Sequence, residues 1–297
     1  MRSVAKQILT FLVLVFAFSS LPYYLVIHAG HLSAGSGIVV GLLMWCPALA
    51  AFATCALSKI DSATLGWNWR PARYEVWAYV IPILYALPVY LVTWMAISGS
   101  FDFAKFAAPL GASFGFPNSP RAAALLLAIP LYAFVGVIAS TARALGEEIG
   151  WRGFLLPRLV QQLGFTVGCL ISGSIWAVWH YPLLLFADYN AGTKPAFGLT
   201  CFTLMVIADA YILGWLRLKS GSLWPAAILH ASHNLFIQAI FDRITAPAGK
   251  ALYFTTEFGA GLVLTVAAFA FYFWTRRDEV CASDLRSHDE IRVLCRA

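Results

Sequence analysis

The chain has 297 residues, of which 61% are hydrophobic, 15% aromatic and 11% charged, and its formal net charge is +6. Soluble globular domains do not reach that apolar fraction, so a water-soluble enzyme or binding module is excluded. No basic cluster interleaved with aromatics accompanies the positive balance, which therefore reads as attraction to anionic headgroups and excludes nucleic acid as a partner.

A hydrocarbon core about 30 Å thick takes about 20 apolar residues of helix to cross. Runs of that length follow one another at 7–28, 36–57, 76–98, 121–142, 166–187, 196–217, 222–241 and 253–275. They must be helices, because open strand edges leave backbone groups unpaired in lipid. The expected fold is all-α: a polytopic membrane protein of about eight transmembrane helices in a bundle. Arg2 and Lys6 ahead of the first run resemble the start of a signal peptide. The run nevertheless passes Pro22 and reaches Ile27 without a small-x-small cleavage site, so it is read as an uncleaved span. The next two runs carry Pro47, Pro82 and Pro88 and almost no ionisable groups, as kinked packing helices do.

Of the 20 lysines and arginines, 15 fall in the segments on the side of the two termini and five on the other. The positive-inside bias then places both termini in the cytoplasm. No internal repeat is visible. Residues 1–275 form a single transmembrane domain, and 276–297 a short cytoplasmic tail. Cys46, Cys55, Cys169 and Cys201 lie in spans and Cys281 and Cys295 in the tail, without CxxC spacing or a disulfide framework.

Ionisable residues reach membrane depth only in the second half of the chain. After the fourth run comes "GEEIGWRGFLLPRL", residues 146–159. Glu148 and Arg152 are four apart, acid first, which suits a helical ion pair, whereas Glu147 points about 100° away from Glu148. In water at a helix end, these residues would be ordinary surface charges. Their company argues otherwise. "SIWAVWHYP" sets His180 in the fifth span one turn after Trp176, and "LWPAAILHASHNLF" sets His230 and Asn234 on one face of the seventh, with His233 on a flanking face. Intramembrane ionisable groups usually face a cavity or each other.

Such a set suits hydrolysis. A carboxylate in a partly dry cavity can act as general base toward water, histidine can hold or pass a proton, and an amide can donate to an oxyanion. One carboxylate and two imidazoles, Glu147, His180 and His230, are equally the ligand set of a catalytic zinc with an open position. Spacing does not separate these chemistries, and His233 could replace His230 in either. Asp209 in the sixth span is a further buried carboxylate, read as a hydrogen-bonding partner of a neighbouring helix ahead of membership of the site.

At these positions the chain resembles the type II CAAX prenyl endopeptidases and their bacterial relatives, the CPBP family of intramembrane proteases. The family pattern EExxxR, FxxxH and HxxxN/B is matched by Glu147, Glu148 and Arg152, then His180, then His230 and Asn234. The resemblance covers about residues 142–240, and the one departure is Trp176 where the family has phenylalanine. It implies an eight-helix core in which Glu147 activates water with help from His180, His230 and Asn234 stabilise the oxyanion, and Glu148 with Arg152 shapes the site. It implies a protein or peptide substrate at the bilayer, with prenylation not assumed, and a multi-pass location in a cell membrane of bacterial type. The metal-free reading is preferred to zinc. HExxH, GxSG and GxGD, the marks of other intramembrane proteases, are absent.

The rivals are a proton-coupled transporter, which uses similar intramembrane acids and histidines but commonly shows inverted repeats, and a non-catalytic scaffold or bacteriocin-immunity protein. The hydrolase reading requires Glu147, His180, His230 and Asn234 to converge on one water-accessible pocket, expected to open toward the side of the termini. Glu148 should meet Arg152 just outside it and His233 should point away. A fourth span ending near 142 would leave Glu147 at the surface, about 20 Å along the bundle from His180.

Overall fold

A computed structural model describes residues 3–280 apart from Arg70 and Ala191. Among the described residues the structure is helical, with one isolated bridge between Phe101 and Thr245 and no strand. The protein is an all-α, multi-pass integral membrane protein. Helices α1 (Val4–Ala29), α2 (Ile38–Ser58) and α3 (Arg73–Ala96) follow the first three apolar runs, and α4 (Phe103–Ser113) is a short connecting helix.

The fourth and fifth runs differ from expectation. No loop separates them near residue 142. Helical structure extends from Pro120 to Phe186, through π-helical turns at Ala124–Ala128, Tyr132–Gly136 and Ile149–Leu155, and is broken at Gly164. There φ is 75° and ψ 170°, a conformation open to glycine because it lacks Cβ. The two limbs, α5 (120–163) and α6 (165–186), fold against each other at this break, where a Cβ on Gly168 would lie 2.9 Å from the Val160 nitrogen. Polar residues from Thr141 to Arg152 look like a loop in the sequence, but they are the continuing helix, and its inward face buries Glu147, Glu148 and Arg152.

Helix α7 is Pro195–Ser220. Helix α8 starts at Trp224 and continues through a π-helical stretch, Asn234–Phe241, to Ile244. The last span is shorter than expected: α9 is Ala260–Thr275, and 254–259 is non-helical. The reason is local, since Thr256 has φ 65° and Gly259 an extended backbone at the helix start.

Small residues bring the helices close. Glu147 and Glu148 lie between Gly146 and Gly150, a small-xxx-small pair of the kind that lets helix backbones touch in membranes. A Cβ on Gly146 would sit 2.6 Å from the Met44 carbonyl, and one on Gly150 2.5 Å from Pro47 Cβ. Helix α2 thus packs against the backbone of α5 and closes the flank of both acids. Two of the arginines counted as loop charges are buried in this packing. Arg152 is paired, and Arg217 donates from Nε to the Arg152 carbonyl at 3.1 Å and from NH2 to the Leu65 carbonyl at 3.3 Å. The described cysteines, Cys46, Cys55, Cys169 and Cys201, are buried thiols, and the tail beyond Val280 with Cys281 and Cys295 lies outside the described residues.

Candidate active site

Because α5 continues past residue 142, Glu147 reaches the depth of Trp176, one turn before His180. Glu147 is 2% exposed, and its Oε2 accepts a hydrogen bond from Trp176 Nε1 at 2.7 Å. A buried carboxylate needs such a partner, and a charge-assisted bond from a neutral donor supplies it without cancelling the charge. The same tryptophan organises its surroundings. Its backbone carbonyl accepts from His180 Nδ1 at 3.0 Å, the Arg152 guanidinium lies 4.0 Å from its ring centre, and its edge meets the His230 ring at 5.3 Å. A carbonyl can only accept, so His180 carries its proton on Nδ1 and leaves Nε2 for the cavity.

Glu148 is fully buried and serves two partners through one oxygen. Oε1 accepts from Arg152 NH1 at 3.0 Å and from His230 Nδ1 at 2.9 Å. The pairing with Arg152 follows the four-residue spacing. The bond to His230, from a helix 82 positions further along the chain, carries no local signal. It fixes the histidine ring and turns Nε2 away from Glu148; with Nδ1–H committed to the carboxylate, that Nε2 donates only in the imidazolium form.

Glu147, His180, His230 and Asn234 line one cavity of about 150 Å³, enough for several waters. Asn234 Oδ1 lies 3.5 Å from Gln238 Nε2 on the same wall. Glu148 and Arg152 pack behind this wall, as expected of a supporting pair.

Two expectations are overturned. His233 does not point away: it lines the same cavity, with Nε2 3.0 Å from Glu257 Oε1 and Nδ1 2.6 Å from the Tyr85 hydroxyl. His230 and His233 are three apart on the regular α-helical part of α8, a spacing that shares a face, and Glu257 holds the ring there. The loops that reach the cavity, through Leu32, Tyr189 and Glu257, belong to the end of the bundle opposite the termini, not to the side of the termini where the opening was expected. Asp209 also lines the cavity, its Oδ2 3.6 Å from His233 Nδ1 on the neighbouring helix.

Glu257 was missed. It is 5% exposed and accepts from Gln238 Nε2 at 2.9 Å and from the Tyr189 hydroxyl at 3.0 Å besides its bond with His233. The available signal was a carboxylate inside an otherwise apolar run, the "TTEFG" of residues 255–259.

The alternative zinc set of Glu147, His180 and His230 is not drawn together around one point. Among the described residues no three His, Cys, Asp or Glu side chains are grouped to hold a metal ion.

Residues 125–236 match the family model described as type II CAAX prenyl endopeptidase Rce1-like, so the resemblance read from the motifs is shown by an independent comparison. The matched segment contains every residue of the EExxxR, His180 and His230–Asn234 set. The chain is also 28% identical over 93 residues to a CAAX prenyl protease 2 of Methanococcus maripaludis, a stretch that is 30% of this chain and 34% of the relative. The chain thus spans about a third of the length of the curated relative it matches.

Proposed function

We propose that this protein is an intramembrane endopeptidase that hydrolyses a peptide bond with water activated by Glu147. The observation that carries the reading is one buried cavity shared by an oriented carboxylate, two histidines and a carboxamide. Glu147 is held at Oε2 by Trp176, so Oε1 is the atom available to take a proton from water. The hydroxide formed attacks the scissile carbonyl carbon, and its electron pair moves onto the carbonyl oxygen. The Asn234 amide and His230, as an imidazolium held by Glu148, donate to that oxygen. Collapse expels the amine, which takes up the proton from Glu147, with His180 Nε2 holding the water or passing the proton.

The substrate is a protein or peptide segment presented at the bilayer, and both termini are placed in the cytoplasm. The mechanism runs through the chain's own residues, with no step assigned to zinc. The test is cleavage of a quenched fluorogenic transmembrane peptide by the purified protein in detergent. Wild-type turnover, abolished in Glu147→Ala and His180→Ala variants that still fold, supports the reading. Absence of turnover with transport of protons or solute in vesicles would transfer the same residues to a relay. Full turnover by either variant removes that residue from the mechanism.

A further inference from the structure

A second, larger cavity lies away from the hydrolytic residues, at the end of the bundle where α3 begins and α7 and α9 finish. Its volume is about 660 Å³, within the range of small-molecule sites. Each of its three helices contributes an apolar stripe that ends in a cation. On α3 the stripe is Trp77, Ile81 and Leu84 below Arg73; on α7 it is Trp215 and Leu216 below Lys219; on α9 it is Phe269 and Phe273 below Arg276. Spacings of three and four keep the α3 and α9 stripes on one helix face, and on α7 Trp215 and Leu216 lie four and three residues before Lys219, to either side of its line. Trp77, Leu84 and Tyr272 are more than 40% exposed, so the groove is open along its length to whatever surrounds the bundle.

The charges are gathered at its mouth. Arg276 lies 5.3 Å from the Tyr272 ring centre and 5.7 Å from that of Trp215, and Lys219 5.9 Å from the latter. Glu279 bridges Lys219 at 3.2 Å and Arg276 at 2.6 Å. Three cations therefore face one carboxylate, and Arg73 forms no ion pair among the described residues, its NH2 lying 3.1 Å from the Tyr74 hydroxyl. Exposed Trp69 stands beside Trp224 at this end, as aromatics do at a membrane–water boundary.

The geometry points to a binding site for an anionic phospholipid, its phosphate among Arg73, Lys219 and Arg276 and an acyl chain along the groove between α3 and α9. Basic pockets between transmembrane helices recognise headgroups in this way, each cation strengthening the attraction. A free phosphate would use the mouth and leave the apolar length unfilled. A zwitterionic lipid would fill the groove but bring its own cation against Arg73.

The test is native mass spectrometry of the full chain released from detergent, titrated with phosphatidylglycerol, phosphatidylcholine of the same chains, or inorganic phosphate. Phosphatidylglycerol should be retained preferentially. Arg73→Gln and Arg276→Gln should each weaken retention about fivefold, and Glu279→Gln should strengthen it by freeing two cations. Ala268→Trp, an exposed position facing the groove, should block the acyl chain. Equal retention of the two lipids, indifference to all four substitutions, or occupancy by phosphate alone overturns the proposal. So does a dimer abolished by Ala268→Trp with no lipid retained, which assigns the groove to a second copy of the chain.

Discussion

Trp176→Phe isolates one atom of the site. Phenylalanine keeps an aromatic face under the Arg152 guanidinium, now 4.0 Å from the ring centre, and an edge toward His230. It deletes the indole N–H that reaches Glu147 Oε2 at 2.7 Å. A hydrogen bond to a charged group is worth about 1.5–3 kcal/mol, and a buried carboxylate that loses it turns to find another donor. If Oε1 must be in place for proton transfer, that energy appears in the transition state, and about 1.4 kcal/mol corresponds to tenfold in rate. The expected result is a 10- to 100-fold fall in kcat. KM should change little, because Trp176 acts through Glu147. The assay is steady-state cleavage of the fluorogenic membrane peptide, run on wild type, Trp176→Phe, Glu147→Gln and the double variant. In the double variant the tryptophan effect should vanish, since the two changes act through one group. A wild-type kcat in Trp176→Phe, or fully additive losses, would refute the orienting role.

Exchanging the charges of the ion pair, Glu148→Arg with Arg152→Glu, should recover helix stability relative to either single change, each of which leaves a buried charge unpaired at a cost of about 3–5 kcal/mol. It should not recover turnover, because the new arginine faces His230 Nδ1 at the position of Glu148; restored cleavage would show that the histidine bond is dispensable. Gly150→Val should lower the melting temperature by several degrees and reduce activity, as its Cβ meets Pro47 Cβ at 2.5 Å and overpacking costs about 1–3 kcal/mol; an unchanged melting curve would mean that α2 yields without strain. Chelator treatment of active protein should leave turnover nearly unchanged and metal analysis should find no stoichiometric zinc, whereas activity lost on chelation and restored by zinc would reinstate Glu147, His180 and His230 as ligands.

Sequence patterns disclose the parts of this protein that rest on short spacings. Apolar runs locate the spans, four-residue intervals pair Glu148 with Arg152, and the motifs of the matched family pick out Glu147, His180, His230 and Asn234. What escapes is depth and partnership. Thr141 to Arg152 reads as a polar loop because composition cannot tell water from a cavity, while the close passage of α2 over Gly146 and Gly150 makes it an intramembrane helix. His233 seemed misplaced by its offset from His230, but the ring turns toward Glu257, whose own position depends on a non-helical 254–259 that hydropathy had assigned to a span. Arg217 looked like a loop cation and is instead a buried donor to two carbonyls, one of them Arg152's. Each miss concerns a contact between segments far apart in the chain, which no local pattern records.

The carboxylate oxygen that Arg152 and His230 share also sets a schedule for biogenesis. A nascent chain inserted as far as Ser220 holds Glu147, Trp176 and His180 but neither His230 nor Asn234, and Glu148 then has Arg152 alone. Only when α8 enters does Glu148 acquire its second partner and the cavity its opposite wall; Glu257 follows later still. Under the proposed mechanism, partly synthesised protein is therefore inert toward the other segments emerging beside it at the translocon. Under that mechanism competence arrives with α8, after Glu147 has already met Trp176.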